Sequence, residues 1–359
     1  MPLFDTETPR AALRDQLRAA MLGVLDSGRF ILGPNVEAFE RELADYCGVR
    51  HAIGVANGTD AITIALRALG VGPGDEVIVP SFTFYASAEA IPPTGATPVF
   101  CDIDPETFCL TAESVRAVMS SRTKAVIAVH LFGNIAPVRE IEALGVPVVE
   151  DAAQAAGSRS TQGRAGAIGR IATFSFFPSK NLGCIGDGGA ITTGDDELAE
   201  RARMLRFHGS RDKQSYEAIG YNSRLDELQA AVLRVQLPHL EAWAEGRREA
   251  ARHYEQAGLG ELVALPEPTP GAEPAWHLYV IRSDRVQQVA GALAAAGHGQ
   301  RAYYRTPVHR QPAMAAYAAG ASLPGTDEAA RTHLAIPISP VLSAEQAAAV
   351  SGCVAEALR

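Results

Sequence analysis

Lysine is nearly missing from this chain of 359 residues: it occurs only as Lys124, Lys180 and Lys213 among 32 basic side chains. A GC-rich codon bias, visible in the many Ala, Gly and Arg residues, accounts for the scarcity as a whole. Lys124 follows SSRT and Lys213 lies in the polar run GSRDKQS, so both read as solvated surface groups. Cysteine is sparse too. Cys47, Cys101, Cys109, Cys184 and Cys353 are odd in number, scattered and never spaced C-x-x-C, which argues against a disulfide framework and a structural zinc site; no metal is expected. Acidic residues outnumber basic ones by 41 to 32, a formal charge of -9, so no overall field draws the chain to nucleic acid or anionic lipid. No apolar run approaches the ~18 residues of a spanning helix, and MPLFDTETPR lacks a basic stretch followed by an apolar one. The sequence therefore predicts a cytoplasmic protein without nucleic-acid or membrane partners. Also missing are G-x-x-x-x-G-K-[ST], G-x-G-x-x-G after the first strands, H-E-x-x-H and G-x-S-x-G. Their absence removes support from ATP hydrolysis, hydride transfer and metalloprotease chemistry.

What is present suits one or two well-cored domains, with 47% hydrophobic and 20% charged residues. Residues 8–27 carry apolar positions at helical spacing and stop at Ser27-Gly28, predicting an amphipathic helix that packs against the rest. Seven short apolar runs follow: HAIGV, EVIVP, TPVFC, AVIAV, VPVVE, IATFSF and GAIT. They are nearly continuous rather than alternating, as strands covered on both faces are, and spacers such as AITIALRALG have helical periodicity. The pattern predicts a doubly wound, mainly parallel seven-stranded α/β sheet. Residues 223–257 read as almost wholly helical, broken or kinked at Pro238. Beyond them, HLYVIRS, RVQQVAGALAAAG, a short strand near RAYYR and a helix SAEQAAAVSGCVAEAL predict a smaller α+β domain. The division is a large domain over 1–240, with the N-terminal helix, and a small domain over 241–359.

Three features fall at strand ends, where open α/β sheets place ligands. Gly58, Thr59 and Asp60, after Asn57, present free backbone N–H groups at a helix start, which suits a phosphate or serves only as an N-cap with a glycine turn. In EDAAQ, Asp151 and Gln154 share one face if a helical turn begins there; a simple helix cap is the alternative. In FSFFPSKNLG, Lys180 follows aromatic residues with no nearby carboxylate, a setting that favours the neutral, nucleophilic amine, although an amphipathic stem with its head in water has the same local sequence. A lysine, a carboxylate and a phosphate cup together meet the needs of pyridoxal 5′-phosphate (PLP), and Phe82, Phe84 and Tyr85 offer rings to stack on it.

With these motifs the chain resembles the DegT/DnrJ/StrS-type sugar aminotransferases, which are fold-type-I PLP-dependent transferases. The resemblance runs from about Arg29 to the last helix, through GRFILGPNVEAFE, ANGTDAI, GPGDEVIVPSFTFYASAEAI, GATPVFCDID, VVEDAAQAAG, FSFFPSKNLGCIGDGGAI, GYNSRLDELQAAVL and YYRTPVHRQP. It implies Lys180 as Schiff-base lysine and general acid/base, Asp151 as partner of the ring nitrogen, and Gln154 at the 3′-hydroxyl. Gly58, Thr59, Asp60 and Ser175 would hold the phosphate, and Phe84 would stack on the ring. It also implies a homodimer with shared sites, in which Asn222 reaches the partner's phosphate and Arg224 the substrate, while Tyr303, Tyr304 and His309 belong to the region lining the sugar-nucleotide site. The implied reaction moves an amino group from L-glutamate to a nucleotide-linked keto sugar, UDP- or dTDP-linked. S-F-F-P-x-K-N-L-G is typical of relatives acting on 3-keto sugars; a 4-keto sugar aminotransferase and a non-catalytic regulatory protein on the same fold are the alternatives.

Overall fold

The computed structural model describes residues 1–318 and 320–359. The apolar runs form β1 (His51–Val55), β2 (Glu76–Pro80), β3 (Thr97–Cys101), β4 (Thr123–Val129), β5 (Val148–Asp151), β6 (Ile171–Ser175) and β7 (Gly189–Thr193). They make one sheet in the order β1-β7-β6-β5-β4-β2-β3. Only β7 runs against its neighbours, β1 and β6. Two reversals in succession restore the direction, so β1 points the same way as the parallel strands.

Alternate residues of each strand go to opposite faces. Ile53, Val55, Val77, Val79 and Ile127 belong to one apolar cluster, and Ala52, Ile78, Val126 and Ala128 to the other. Both faces are covered, which is why the runs in sequence are unbroken. Asp151 pairs in register with Val129 and Thr173, so β4, β5 and β6 end together at one edge of the sheet. A third cluster lies in the C-terminal part, where β8 (Tyr279–Arg282) pairs antiparallel with β9 (His333–Ile336). Helices Leu240–Gln256, Val286–Ala295 and Ala344–Leu358 contribute to the same core.

Four details depart from the sequence expectation. RAYYR forms no strand: Arg301 makes a single bridge to Ala335, and the partner of β8 comes instead from HLAI, a fully buried apolar run. The N-terminal helix is split into Glu7–Ala11 and Arg14–Ser27, and Leu22 and Leu25 on the second piece are 57% and 64% exposed, so its apolar face is only partly packed. The helix after 223 starts only at Glu227 and ends at Gln236; Pro238 then sits in a 3-10 turn, Leu237–His239, before the next helix. Finally, the chain's first residues lie on the C-terminal part: the Met1 amine donates to Gly297 O at 2.7 Å, and Phe4 bridges Ile338. Among the described residues no helix is long and apolar enough to cross a membrane.

Candidate active site

The strand ends open into a cavity of about 1100 Å³ that brings together Gly58, Thr59, Asp60, Phe84, Asp151, Gln154, Ser175, Lys180 and Tyr304. Most of the residues singled out from the sequence therefore meet in one place, Tyr85 and Tyr303 among them, whereas Phe82 is fully buried in the core and does not line the cavity. Each arrives by a simple local device. Asn57 caps helix Gly58–Ala68 through Oδ1, which accepts from Asp60 N at 2.8 Å. The cap uses the third N–H of the turn and leaves those of Gly58 and Thr59 directed at the helix start, where the helix dipole also favours an anion. The turn that caps the helix is thus also the one that could receive an anion. A Cβ on Gly58 would come within 2.7 Å of the Ser175 Cβ, so glycine is what lets the end of β6 close the cup.

Asp151 ends β5 and is 5% exposed. Its Oδ2 accepts from Ser87 Oγ at 2.7 Å and its Oδ1 from Ala153 N at 3.1 Å, which fixes the carboxylate in the cavity wall. Thr83 Oγ1 stands 3.0 Å from Ser87 Oγ and extends the chain of hydroxyls. Glu150, the preceding residue, faces the other side of the sheet, as the period of two demands. There it accepts from the N–H groups of Gly166, Ile168 and Gly169 and lies 2.8 Å from His130 Nε2; it is structural. Gln154 Oε1 accepts from Phe132 N at 2.9 Å and its Nε2 donates to Tyr304 Oη at 3.1 Å. That bond locks the amide and ties it to the RAYYR segment.

Lys124 and Lys213 are exposed, whereas Lys180 is half-buried with its side chain bordering the cavity. Burial lowers its amine from 10.5 to about 8, and the charge of Asp151 opposes that shift. The amine therefore stands near the boundary between ammonium and nucleophile at working pH.

Three further residues are not brought there. His309 is buried with Nδ1 2.5 Å from Ser81 Oγ, and its ring centre lies 6.2 Å from that of Phe100. It supports the loop after β2 and does not line the cavity; the neighbouring Val308 and Gln311 do. Asn222 and Arg224 line a separate polar cavity of about 390 Å³ that also touches Asn57 and Asp187. Conversely, Ser87, Phe4, Arg301, Arg305 and His277 line the cavity although the sequence did not single them out. His277 is buried at the cavity wall with Nδ1 unpartnered, and burial with the nearby Lys180 and Arg247 charges holds its imidazole well below 6.5. Only the WHLY run before β8 could have signalled it.

A half-buried lysine, an oriented carboxylate and a helix start with free N–H groups at the end of a mainly parallel sheet are what a PLP-dependent aminotransferase of fold type I requires. The donor set fits the cofactor: the lack of a Cβ at residue 58 brings Ser175 against the helix start, and the carboxylate keeps its geometry through Ser87 and Ala153. Residues 12–355 match the DegT/DnrJ/EryC1/StrS aminotransferase family, and the chain belongs to it. It is 47% identical over 363 residues to the dTDP-3-amino-3,4,6-trideoxy-alpha-D-glucose transaminase of Streptomyces venezuelae, covering 99% of this chain and 96% of that one. It is 44% identical to the UDP-N-acetyl-3-dehydro-alpha-D-glucosamine 3-aminotransferase of Acidithiobacillus ferrooxidans, over 98% of this chain and 96% of that protein. Among solved structures, that of S. venezuelae DesV in complex with a ketimine intermediate superposes with a TM-score of 0.96 at 46% identity, over 100% of this chain and 98% of that one.

Proposed function

We propose that this protein transfers an amino group from L-glutamate to a nucleotide-linked 3-keto sugar, UDP- or dTDP-linked, giving the amino sugar and 2-oxoglutarate. The observation that carries the reading is the convergence of Lys180, Asp151 and the Gly58–Thr59 turn in one cavity of about 1100 Å³. That exceeds the roughly 300–1,000 Å³ of a typical small-molecule pocket and leaves room for a bulky second ligand beside the cofactor. PLP, when bound, supplies an electron sink for the carbon that carries the migrating nitrogen.

The chain's own residues do the rest. Lys180 takes a proton from the donor's α-carbon and returns one to the sugar carbon, a task suited to an amine with pKa about 8. Asp151 holds the proton on the ring nitrogen, Gln154 meets the 3′-hydroxyl, and Phe84 offers its exposed ring to the cofactor face. Gly58, Thr59, Asp60 and Ser175 take the phosphate. Arg301 and Arg305 stand at the same cavity, and Arg301 lies over the Tyr303 ring at 5.0 Å. We assign this pair, with Tyr304, to the substrate's diphosphate end. Asn222 and Arg224 line the smaller cavity, which borders the main one at Asn57 and Asp187, and we assign them to the partner's site in a homodimer. The division into a PLP-binding part over 1–240 and a smaller one over 241–359 belongs to the same reading.

The test is turnover in halves. Holoenzyme given L-glutamate alone releases one 2-oxoglutarate per site, and the aminated enzyme then converts a dTDP- or UDP-linked 3-keto sugar. Release of no keto acid from any amino donor sinks the assignment; amination at C4 instead of C3 corrects the regiochemistry.

A further inference from the structure

A second, much smaller void of about 20 Å³ also reaches Lys180, and the N-terminal segment closes it: Asp5, Arg10, Asn181, Gln236 and Arg247 share its lining. Arg10 dominates the contacts. Its Nη2 donates to Pro178 O at 2.9 Å and to Gly183 O at 3.2 Å, and its Nε donates to Gln236 Oε1 at 3.2 Å. Gln236 Nε2 in turn donates to the same Gly183 carbonyl at 2.9 Å. The two carbonyls stand two residues before Lys180 and three after it, so one planar guanidinium grips the lysine loop on both sides. A Cβ on Gly183 would come within 2.7 Å of Arg10 Nη2, which shows how closely the loop has been drawn in.

Arg10 is not a detached surface group. The segment before it is fastened to the C-terminal part through Met1, whose amine meets Gly297 O and whose carbonyl accepts from Gly299 N, both at 2.7 Å. Between these anchors Phe4 enters the main cavity and stacks on His277, with centroids 5.6 Å apart and planes at 29°. The chain's first ten residues thus form a strap with one side in the cavity wall and its far end on the loop that carries the amine.

We propose that Arg10 is a positioning residue for Lys180: by bracketing the lysine loop through the Pro178 and Gly183 carbonyls, it sets where the amine stands relative to the carbons it must reach. The proposal rests on the reading that Lys180 is the reactive amine. Proton transfer demands near-contact geometry, and a displacement of about 1 Å costs on the order of 100-fold in rate. Lys180 serves both halves of the reaction, so its displacement slows both.

The experiment compares the wild type with Arg10→Ala and Arg10→Lys. In single turnovers, Arg10→Ala is expected to slow both half-reactions by roughly 10- to 100-fold, with KM for L-glutamate and the keto sugar within about twofold of the wild type. Arg10→Lys, which keeps one charge but loses the fork, recovers part of the rate. A second readout needs no cofactor. In the apo-protein, the rate at which a small amine-acylating reagent modifies Lys180, followed by mass spectrometry of the peptide, should change several-fold in Arg10→Ala, with Lys124 labelling constant. Normal half-reaction rates per folded site together with unchanged Lys180 labelling, even with a lowered melting temperature, overturn the proposal. If Arg10→Ala does not fold, Arg10→Lys and Gln236→Leu are judged by the same two readouts. A wild type that releases no 2-oxoglutarate defeats the functional reading instead, and the labelling comparison then decides the role of Arg10 alone.

Discussion

Burial is the reason the Lys180 amine ionises near pH 8 rather than 10.5, and it has two measurable consequences. In the apo-protein, acylation of Lys180 should rise with a midpoint about pH 8; a midpoint near 10.5 would contradict the burial. The second concerns stability. Because the folded pKa lies below the unfolded one, the unfolded chain binds a proton that the folded chain releases between about pH 8 and 10.5. The penalty of burying an ammonium is therefore complete below pH 8 and fades above it. Lys180→Met is expected to raise the apo-protein's melting temperature at pH 7 and to gain less at pH 10, while abolishing turnover. Three histidines act at the acid end with the same sign. His277, His309 and His333 are all held below 6.5 chiefly by burial, His333 at about 4. Stability is expected to fall as pH drops below 6.5, read as a declining melting temperature between pH 6.5 and 5. Asp151→Asn removes the charge that retains the ring proton and should cost orders of magnitude in kcat with little change in melting temperature. Unchanged kinetics would show the carboxylate to be misassigned.

Elements are joined by residues far apart in sequence, and the start of helix Pro34–Cys47 shows how. Its N-cap is Gly33, which has no side chain to offer, yet the N–H groups of Gly33, Asn35 and Val36 all donate to the Glu227 carboxylate at 2.8 to 3.0 Å. Asn35 Nδ2 adds a fourth bond at 3.0 Å. Glu227 sits at the start of the helix after GYNSRLD, so one buried charge fixes two helices against each other. Glu227→Ala leaves those donors without an acceptor and should cost about 2–4 kcal/mol in urea unfolding. Glu227→Gln, which keeps one acceptor oxygen, should lose less; a loss below about 0.5 kcal/mol for the alanine variant would show that water replaces the carboxylate.

At the scale of the whole molecule, the proposed sharing of sites between two copies has a sharp test. The main cavity holds Lys180 but neither Asn222 nor Arg224, and Leu22, Leu25, Phe30, Ile31 and Ile219 are exposed on the single chain. Lys180→Ala and Asn222→Ala variants, each inactive or nearly so, should complement when unfolded and refolded together. Half of the random dimers then carry one intact site of two, giving about a quarter of wild-type activity. No recovery in verified mixed dimers would place Asn222 in its own chain's site.

Much of this was legible beforehand, because strand placement, helix caps and the face a side chain takes depend on near neighbours. Continuous apolar runs specified seven strands, the NGTD turn its helix cap, and a lysine among aromatics its partial burial. RAYYR misled because its aromatics suggest a strand, whereas packing gave the pairing edge of β8 to the wholly buried HLAI. A motif marks a neighbourhood and not the direction of a side chain: the segment around His309 reaches the cavity through Val308 and Gln311, while Ser81 holds the imidazole itself. Ser87 beneath Asp151, Glu227 at a distant helix start and Arg10 on the lysine loop are pairings across tens to hundreds of positions. Local patterning determined which groups this protein possesses and roughly where the sheet presents them. Which of them touch, and hence the orientation of Asp151 and the seating of Lys180, was decided only when the folded chain brought remote segments within hydrogen-bonding distance.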